Sequence, residues 1–445
     1  MVSCVSYEEK PLSPREIIDQ VEAARLEGFV KEGEPFDFPK ATLWMSEKSP
    51  ILKELKTKYA TLQSVADIAT PWPNPSIKIG QDFGLKLEPG AVGKTRPFVG
   101  LGFTIPLFGR IGRQDDLNEV KAQQSFLELH LSHRELYLQL RRQFVNLYLV
   151  YRKKETQQEL YRSTQTMAKI TTTLRKAGAS TALDEGMVAF EVLQVQSGLL
   201  KVNEEVAAIE AELSSLMGVD AEKFPHIADN VLPRIVTPPP TYKNLKELLL
   251  NNHPQLARIR SEYEVAEKKL RLEVSKQYPD ISFGGAREKE VGDKTVTLGL
   301  RIGIELPLFD RNQQSVARAS KYREEIRQKY LTQAYQVLAE LKRSLISVKL
   351  SEQRKELLNK VLWPQAKSNL EVAEQSLKAG GIDALKYLDI KRSQQQILIE
   401  ITKVEGDLWG AWLDLEKAIG HPLIKFPGEI ESHYPQIPSI KGEQK

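Results

Sequence analysis

The sequence has very little cysteine and no long apolar run. Its 445 residues include a single cysteine, which excludes a disulfide framework and a zinc site built from cysteines. No stretch of about 18 consecutive apolar residues occurs, so a membrane-spanning helix is excluded. The strands of a membrane β-barrel alternate apolar and polar residues and contain no such stretch, so a β-barrel is not excluded. The net charge is +4 with basic and acidic residues interleaved, so nucleic-acid binding is not supported.

Proline and glycine are missing from a very long segment. From Arg113 to Lys176 the chain has neither, and from Gln313 to Ala379 it has only Pro364. About 65 helical residues would form a rod of roughly 100 Å, a length typical of coiled coils. A Lys-Ala-Gly turn follows each segment, and then a helix whose apolar residues are spaced alternately by four and three. The pattern predicts two antiparallel helical hairpins.

A duplication runs through the chain. Residues 105–110 (Ile-Pro-Leu-Phe-Gly-Arg) recur as 306–311 (Leu-Pro-Leu-Phe-Asp-Arg), and the Lys-Ala-Gly turn at 176–178 recurs at 378–380. One structural unit is therefore expected twice. The predicted domains are a polar N-terminal arm (1–40), a first repeat (41–218), a proline-rich linker (219–241), a second repeat (242–420) and a C-terminal tail (421–445).

Each repeat opens with a predicted helix, at 41–68 in the first copy and at 243–277 in the second. Pro50 and Pro254 fall early in these two segments. Proline lacks the backbone N–H and clashes with the preceding turn, so each is expected to start a helical stretch or to kink it.

Two pairs of alternating strands follow these helices. Every second residue from 296 to 306 is apolar, with polar, charged or glycine residues between them. This period of two predicts a β-strand with one apolar face. Residues 99–105 alternate likewise, a partner run lies at 77–87, and a shorter, weaker partner starts at Ile281. The predicted apolar, membrane-facing residues are Val99, Leu101, Phe103, Leu298, Leu300 and Ile302. The predicted polar, luminal residues are Lys78, Asp82, Lys86, Arg301 and Glu305.

Four strands cannot close a barrel in one chain. Three chains would supply twelve strands, with apolar residues outward and polar residues around a water-filled lumen. The same threefold arrangement would set the long helices side by side as a hollow cylinder. The predicted fold class is mainly α with a small β part, and the predicted assembly is a homotrimer with an α-helical barrel and a twelve-stranded β-barrel.

At this point a resemblance enters. Helix, strand pair, Pro-Leu-Phe turn, long helix, glycine tip and return helix occur twice over residues 41–420. This ordered set closely resembles the TolC-like outer-membrane efflux proteins, although no single short motif in it is specific. The resemblance implies a passive duct for exported solutes in the outer membrane of a Gram-negative bacterium, extending into the periplasm. It implies as partners a periplasmic adaptor, an inner-membrane pump and outer-membrane lipid.

The resemblance also implies roles for the two hairpin tips. Family members dock the adaptor through glycine-centred turns, which match Ala177, Gly178, Ala179, Ala379, Gly380 and Gly381. The alternative is that these glycines are only helix C-caps, and both interpretations can hold.

Acidic residues narrow the family's duct just after the second tip. Asp389 matches one such position, Lys386 departs from the acidic pattern at the other, and Asp383 is a candidate substitute. The alternative is that all three are solvated surface charges on a coiled coil.

The single cysteine, Cys4, follows Val-Ser, which resembles the end of a bacterial lipobox. The alternative is a chance cysteine near the terminus. Many family members in drug and heavy-metal systems are lipoproteins, and residues 4–14 resemble the mature start of lipoproteins in the metal-efflux branch. The resemblance therefore favours lipidation of Cys4.

Chemistry-bearing motifs are scarce. His130 and His133 lie three residues apart on the long helix, close enough to share a face, but no third ligand is evident. No phosphate-binding loop, nucleophile motif or metalloprotease signature occurs. No metal, no cofactor and no enzymatic activity are predicted. The rival interpretation is a non-channel coiled-coil protein, either a periplasmic adaptor or an envelope scaffold.

Overall fold

The computed structural model describes residues 7–26, 37–83, 95–178, 180–219, 235, 238–289, 296–426 and 428. Cys4, Lys86 and Ala179 lie outside these residues, as does most of the predicted linker and tail. The helices are α1 (Pro14–Leu26), α2 (Phe38–Lys48), α3 (Pro50–Ala66), α4 (Arg110–Lys176), α5 (Ala182–Met217), α6 (Tyr242–Asn252), α7 (Pro254–Ser275), α8 (Gln313–Leu357), α9 (Trp363–Lys378) and α10 (Ala384–Ile419). The strands are β1 (Ser76–Phe83), β2 (Thr95–Ile105), β3 (Ile281–Lys289) and β4 (Val296–Ile304).

The predicted opening helix of each repeat is two helices, and the second of each pair begins at the proline. Pro50 starts α3 and Pro254 starts α7. Proline suits the first helical position because the N–H it lacks would have no intrahelical acceptor there. It also drives the preceding residue out of the helical region, and both Ser49 (ψ 123°) and His253 (ψ 117°) are accordingly extended. The expectation that these prolines start or kink a helix is confirmed.

Both predicted hairpins of long helices are present. In the first, α4 runs for 67 residues without a break, and α5 returns over 36 residues. In the second, α8 gives way to a five-residue π-turn, Leu358–Leu362, after which α9 continues to the tip. Pro364, the one proline between residues 313 and 379, lies in the first turn of α9, directly after the π-turn.

The four strands form one antiparallel sheet in the order β1-β2-β3-β4. The predicted strand pairs are β1 with β2 and β3 with β4, and a third ladder between β2 and β3 joins them. The prediction of a short, weak β3 is wrong, since β3 extends over nine residues. Its ladders with β2 and β4 on both sides satisfy its backbone groups, which weak alternation in the sequence cannot indicate.

One compact unit comprises Met1–Glu54, His130–Pro254 and Gln336–Ile437. In its core, the ring of Phe38 packs against the rings of Phe144 and Phe426, with centroids 5.5 and 4.6 Å away. Beside them Arg141 and Glu416 form a fully buried ion pair, with Nε 2.9 Å from Oε2. The backbone N–H groups of residues 423 and 424 donate to Glu416 Oε1 at 2.8 and 2.9 Å. The pair is thus fully hydrogen-bonded and fixes the segment after α10.

The other unit comprises Leu55–Leu129, Gln255–Tyr335 and Pro438–Lys445, and it contains the sheet. Helix α7 packs here through Ile259 and Ala266, which form a buried cluster with Ile326 of α8. Ion pairs flank this cluster on both sides of α7. They are Arg258 with Glu128 (2.8 Å) and Lys268 with Asp116 (2.8 Å) toward α4, and Arg323 with Glu267 (2.8 Å) and Lys329 with Glu262 (2.7 Å) toward α8.

The turn from β4 into α8 is fixed by one buried carboxylate. Asn312 has a left-handed backbone (φ +56°), and its Nδ2 donates to the backbone oxygen of Glu273 at 2.9 Å and to its Oε2 at 2.8 Å. Lys269 and Lys276 also bind this carboxylate, at 2.7 and 3.0 Å. Burial alone would raise the pKa of Glu273, but these hydrogen bonds outweigh it and lower the pKa to about 2.

The repeated glycine after each return helix has a packing role. Gly218 and Gly420 are left-handed C-caps, with φ +70° and +68°. A Cβ on Gly420 would lie 2.5 Å from the backbone oxygen of Asn252 and 2.8 Å from Pro254 Cδ. A Cβ on Gly218 would lie 3.2 Å from Pro50 Cδ. Each return helix therefore ends against the proline break of its own repeat.

We predict that Gly420→Ala destabilises the fold, because it adds a backbone clash to a left-handed strain of about 1–2 kcal/mol. Thermal unfolding should show a clearly lower Tm. The matched control is Gly410→Ala on α10, where a Cβ meets nothing within 4 Å; this change should leave the Tm equal or higher, since alanine favours a helix by about 1 kcal/mol. A Gly420→Ala protein as stable as wild type would contradict the packing role.

We predict an acid-dependent contribution from Glu273. Its folded pKa of about 2 lies below the ordinary value of 4.5, so its ionised form stabilises the fold above about pH 4.5. That stabilisation is lost as the pH falls toward 2. The Tm difference between wild type and Glu273→Gln should therefore be largest near neutral pH and shrink on acidification. An exposed control, Glu324→Gln, should show little difference at any pH; a pH-independent gap for Glu273→Gln would refute the assignment.

Candidate functional site: the hairpin tips and the two faces of the sheet

The first tip is a short turn with an open surface. After α4 ends, Ala177 N donates to Thr173 O at 3.1 Å and Gly178 N donates to Arg175 O at 3.0 Å. Gly178 is left-handed, with φ +74°, and a Cβ there would meet nothing within 4 Å. The glycine thus reverses the chain as a C-cap and leaves the backbone accessible for a close approach.

The far side of this tip is held by a capping box. Asp184 N donates to Thr181 Oγ1 at 3.1 Å, and Thr181 N donates to Asp184 Oδ2 at 2.8 Å. Arg175 pairs with Glu185, and Thr172 Oγ1 donates to the same carboxylate at 2.9 Å. The hydrogen bond from Arg175 is the main cause of the lowered pKa of Glu185. These bonds join the end of α4 to the start of α5.

The second tip has the same turn with a different cap. Gly380 is left-handed (φ +73°) and open to solvent, and Gly381 N donates to Ser376 O at 2.8 Å. Asp383 precedes α10 and accepts from Lys386 N at 2.7 Å, so its carboxylate caps the helix. Sequence reasoning assigned Asp383 to a gate and did not identify this capping role, although Asp before a helix is a common N-cap.

The structure places Asp389 and Lys386 on the exposed surface of α10 beside the second tip. Asp389 lines an open cavity of about 100 Å³ together with Glu191 of α5 and Arg392 of α10. Arg392 Nε lies 3.6 Å from Glu191 Oε1, which links the two hairpins. No sequence pattern indicates Glu191 and Arg392 as neighbours, because their proximity depends on how one hairpin packs against the other.

Below this cavity the two hairpins share a small apolar core. Met167 and Val188 of the first hairpin are buried with Ala373 and Tyr387 of the second. Tyr387 Oη donates to Glu374 at 3.2 Å. The second tip is therefore packed against the first hairpin within one chain.

One face of the sheet is polar and rich in glycine. The register aligns Ser76, Gly102, Gly284 and Arg301 across all four strands, and in the neighbouring row Lys78 lies opposite Gly100. Asp82 lies opposite Arg96 in the register of β1 and β2, and Arg301 Nη2 lies 2.8 Å from Glu288 Oε1. Glu305 follows the end of β4. The structure thus places Lys78, Asp82 and Arg301 on one face, with Arg96 and Glu288 as further charged residues that the sequence analysis missed.

The opposite face is mostly apolar and exposed, and its charged residues in the four described strands are Arg287 and Lys289 of β3. Leu101 lies opposite Ile77 and Gly285, and Phe283 lies between Phe103 and Ile302. Leu300 is 94% exposed, Leu298 80% and Ile302 71%. Val99, Leu101 and Phe103 are also exposed. All six predicted apolar-face residues therefore share one uncovered surface.

Two searches of the described residues give negative results. No group of three or more His, Cys, Asp or Glu residues in the described ranges could hold a metal ion. Within the same ranges, no helix combines the length and apolar character that crossing a membrane requires.

The fold is that of solved outer-membrane channels. The CmeC outer membrane channel of Campylobacter jejuni superposes with a TM-score of 0.70 at 13% identity, covering 94% of each chain. The MtrE outer membrane channel of Neisseria gonorrhoeae, in its open state, superposes with a TM-score of 0.66 at 15% identity, covering 87% of this chain and 89% of MtrE.

The sequence then places the chain in a family. The pattern of the outer membrane efflux protein family matches residues 46–219 and 245–421, and the chain belongs to this family. It is similar to the cobalt-zinc-cadmium resistance protein CzcC of Cupriavidus metallidurans, with 24% identity over 246 residues, or 55% of this chain. That match spans 58% of the length of CzcC.

Proposed function

We propose that the chain forms the outer-membrane exit duct of a tripartite efflux system in a Gram-negative bacterium. In this proposal it extends into the periplasm and passively conducts solutes that an inner-membrane pump and a periplasmic adaptor deliver. The observation that carries the proposal is the uncovered apolar face of a sheet whose other face is polar. A surface of this kind matches the two environments of a barrel wall, with lipid outside and water inside.

The sheet supports a homotrimer as the working assembly. Strands β1 and β4 are its two edges, and an exposed edge offers unpaired backbone groups to another chain. Four strands from each of three chains would close a twelve-stranded barrel with no edge left.

Helix α5 supports the same assembly independently. It carries two apolar stripes along its length. The buried stripe consists of Val188, Val195, Val202, Val206 and Leu213. The exposed stripe consists of Leu183, Phe190, Leu193 and Leu200, spaced by seven, three and seven residues. Heptad spacing on both sides predicts a neighbouring helix on both sides, and a closed cylinder of helices from several copies would provide the second neighbour.

The rival function, a soluble adaptor or envelope scaffold, leaves these features without a purpose. A coiled-coil protein in water has no use for a strand residue as exposed as Leu300 (94%), since large uncovered apolar patches promote aggregation. The duct accounts for the apolar sheet face and the second helical stripe with one arrangement.

We infer that divalent metal cations are the class of solute the system exports. The support is the likeness to CzcC, whose name states resistance to cobalt, zinc and cadmium. Deleting the gene should sensitise the bacterium to these metals. Unchanged metal tolerance together with new drug sensitivity would contradict metal export and indicate that drugs are the exported solutes.

Two further assignments from the sequence belong to this proposal. Asp383, Lys386 and Asp389 are proposed to line the narrow periplasmic end of the duct, where threefold symmetry would triple each charge. Substituting Asp389 by asparagine should lower the cation preference of single channels, and an unchanged preference would remove it from the gate.

Cys4 is proposed to carry a lipid anchor, which the intact mass of the N-terminal peptide would reveal or exclude.

We predict that Leu300→Asp combined with Ile302→Asp abolishes outer-membrane insertion. Each buried charge costs about 2–4 kcal/mol at the bilayer midplane for basic residues and somewhat less for acidic ones, and three copies multiply the cost. Membrane fractionation and trimer yield would measure the loss. Lys78→Asp, on the opposite face, is the matched control and should insert normally. Normal insertion of the double variant would rule out the barrel.

We predict that the tips contact the adaptor. A photo-crosslinking residue at Ala177 or Ala379 should capture the co-expressed adaptor of the same bacterium. Both turns are exposed, and the adjacent glycine has no side chain that would keep a partner at a distance. The control position is Lys201, an exposed site in the middle of α5. Equal capture at Lys201, or none at either tip, would leave the glycines with a capping role only.

A further inference from the structure

Between the Pro-Leu-Phe turn and the hairpin tip, the second repeat contains one residue more than the first. From Pro106 to Pro307 the two repeats are offset by 201 residues, and from Lys176 to Lys378 they are offset by 202. The extra residue therefore lies between the Pro-Leu-Phe turn and the tip of the second repeat.

Burial locates the extra residue more narrowly. Before it, buried residues match with an offset of 201: Leu136 with Val337, Leu140 with Leu341, and Leu147 with Val348. After it, they match with an offset of 202: Thr164 with Ala366, and Thr171 with Ala373. The insertion thus lies between residues 348 and 366.

The π-turn Leu358–Leu362 falls inside this window. A π-turn closes its hydrogen bonds one residue later than an α-turn, so it accommodates one additional residue. An insertion into an unbroken α-helix would rotate everything after it by about 100° and carry Ala366 and Ala373 out of the core. The π-turn absorbs the insertion and keeps the tip of the second hairpin in the same phase as the first.

The π-turn is also weakly held. Pro364 has no N–H, so one carbonyl of the preceding turn lacks its helical donor. Among the five residues of the π-turn only Leu358 is buried. Its two sides, by contrast, are anchored. On one side Arg354 binds Glu400 and lies 3.4 Å from Asp407 of α10, and on the other Ala373 packs in the shared apolar core.

We propose that this π-turn is a bending point that lets α9 and the second tip move relative to α8. The first hairpin lacks an equivalent, because α4 is continuous over all its 67 residues. The proposal goes beyond the duct function and rests on it only for its consequence, namely that Asp383, Lys386 and Asp389 lie on the moving side. The bending itself is a property of the chain and can be measured whether or not the protein conducts.

The test compares the two hairpins within one protein. Spin labels at Gln353 and Lys378 span the π-turn, and labels at Arg152 and Lys176 span the matching part of α4. Each pair would be about 36 Å apart along a straight helix. The measurement uses detergent-solubilised full-length protein in a Cys4→Ser background, with labelled chains diluted among unlabelled ones. The distance distribution across the π-turn should be about twofold broader than that across α4.

Deleting Lys360 should convert the π-turn into a regular α-helical turn. The residues of α9 should then keep the same buried face as their counterparts in α4. The distribution for the second hairpin should then narrow to that of the first. Equal widths for the two pairs in the undeleted protein would overturn the proposal, and so would an unchanged width after the deletion in a folded protein. If the deletion variant does not assemble, the comparison of the two pairs in the undeleted protein decides alone.

Discussion

The central constraint on this structure is the large apolar surface that a single chain leaves uncovered. The four strands are joined by hydrogen-bonded ladders, yet the sheet face that carries Leu298, Leu300 and Ile302 is exposed. Helix α5 has a complete inner stripe and an equally regular outer stripe around Phe190. Each large apolar side chain left exposed forgoes roughly 1.5–3 kcal/mol of burial. The chain as a whole is polar, with a mean hydropathy of −0.37, so these apolar surfaces are local. The proposed homotrimer would cover both of them.

The two repeats share one arrangement of helices and strands but differ in local structure. Both repeats end their return helix with a left-handed glycine against a proline break, at Gly218 and Gly420. They differ at the turn from strand to long helix. The first repeat has left-handed Phe108 and Gly109 there, and the second has left-handed Asn312, which is held by Glu273. The long helices differ too, since only the second contains a π-turn. The shared features maintain the fold, and the π-turn is the difference from which the proposed bending of the second hairpin follows.

Much of the fold follows from local chemistry and is therefore readable from the sequence. The proline breaks, the alternating strands and the glycine turns at the tips are each set by a few adjacent residues, and they are confirmed except for the length of β3. The β2–β3 ladder, the Arg141–Glu416 pair and the approach of Glu191 to Arg392 are not readable in this way. Each joins residues far apart in sequence, so its existence depends on tertiary packing. The π-turn is an intermediate case. The offset between the two repeats changes by one residue in the sequence, but only the burial pattern shows where the extra residue lies.

The candidate site was predictable to a similar degree. The polar and apolar faces of the sheet came directly from the period of two, whereas the capping role of Asp383 requires knowing where α10 begins. The most direct test of the whole account is the native mass of the detergent-solubilised protein from outer membranes. The account predicts a particle containing three chains of 50.4 kDa. A monomer or dimer that stays soluble without detergent would contradict it, because the sheet would then close no barrel and the outer stripe of α5 would have no partner.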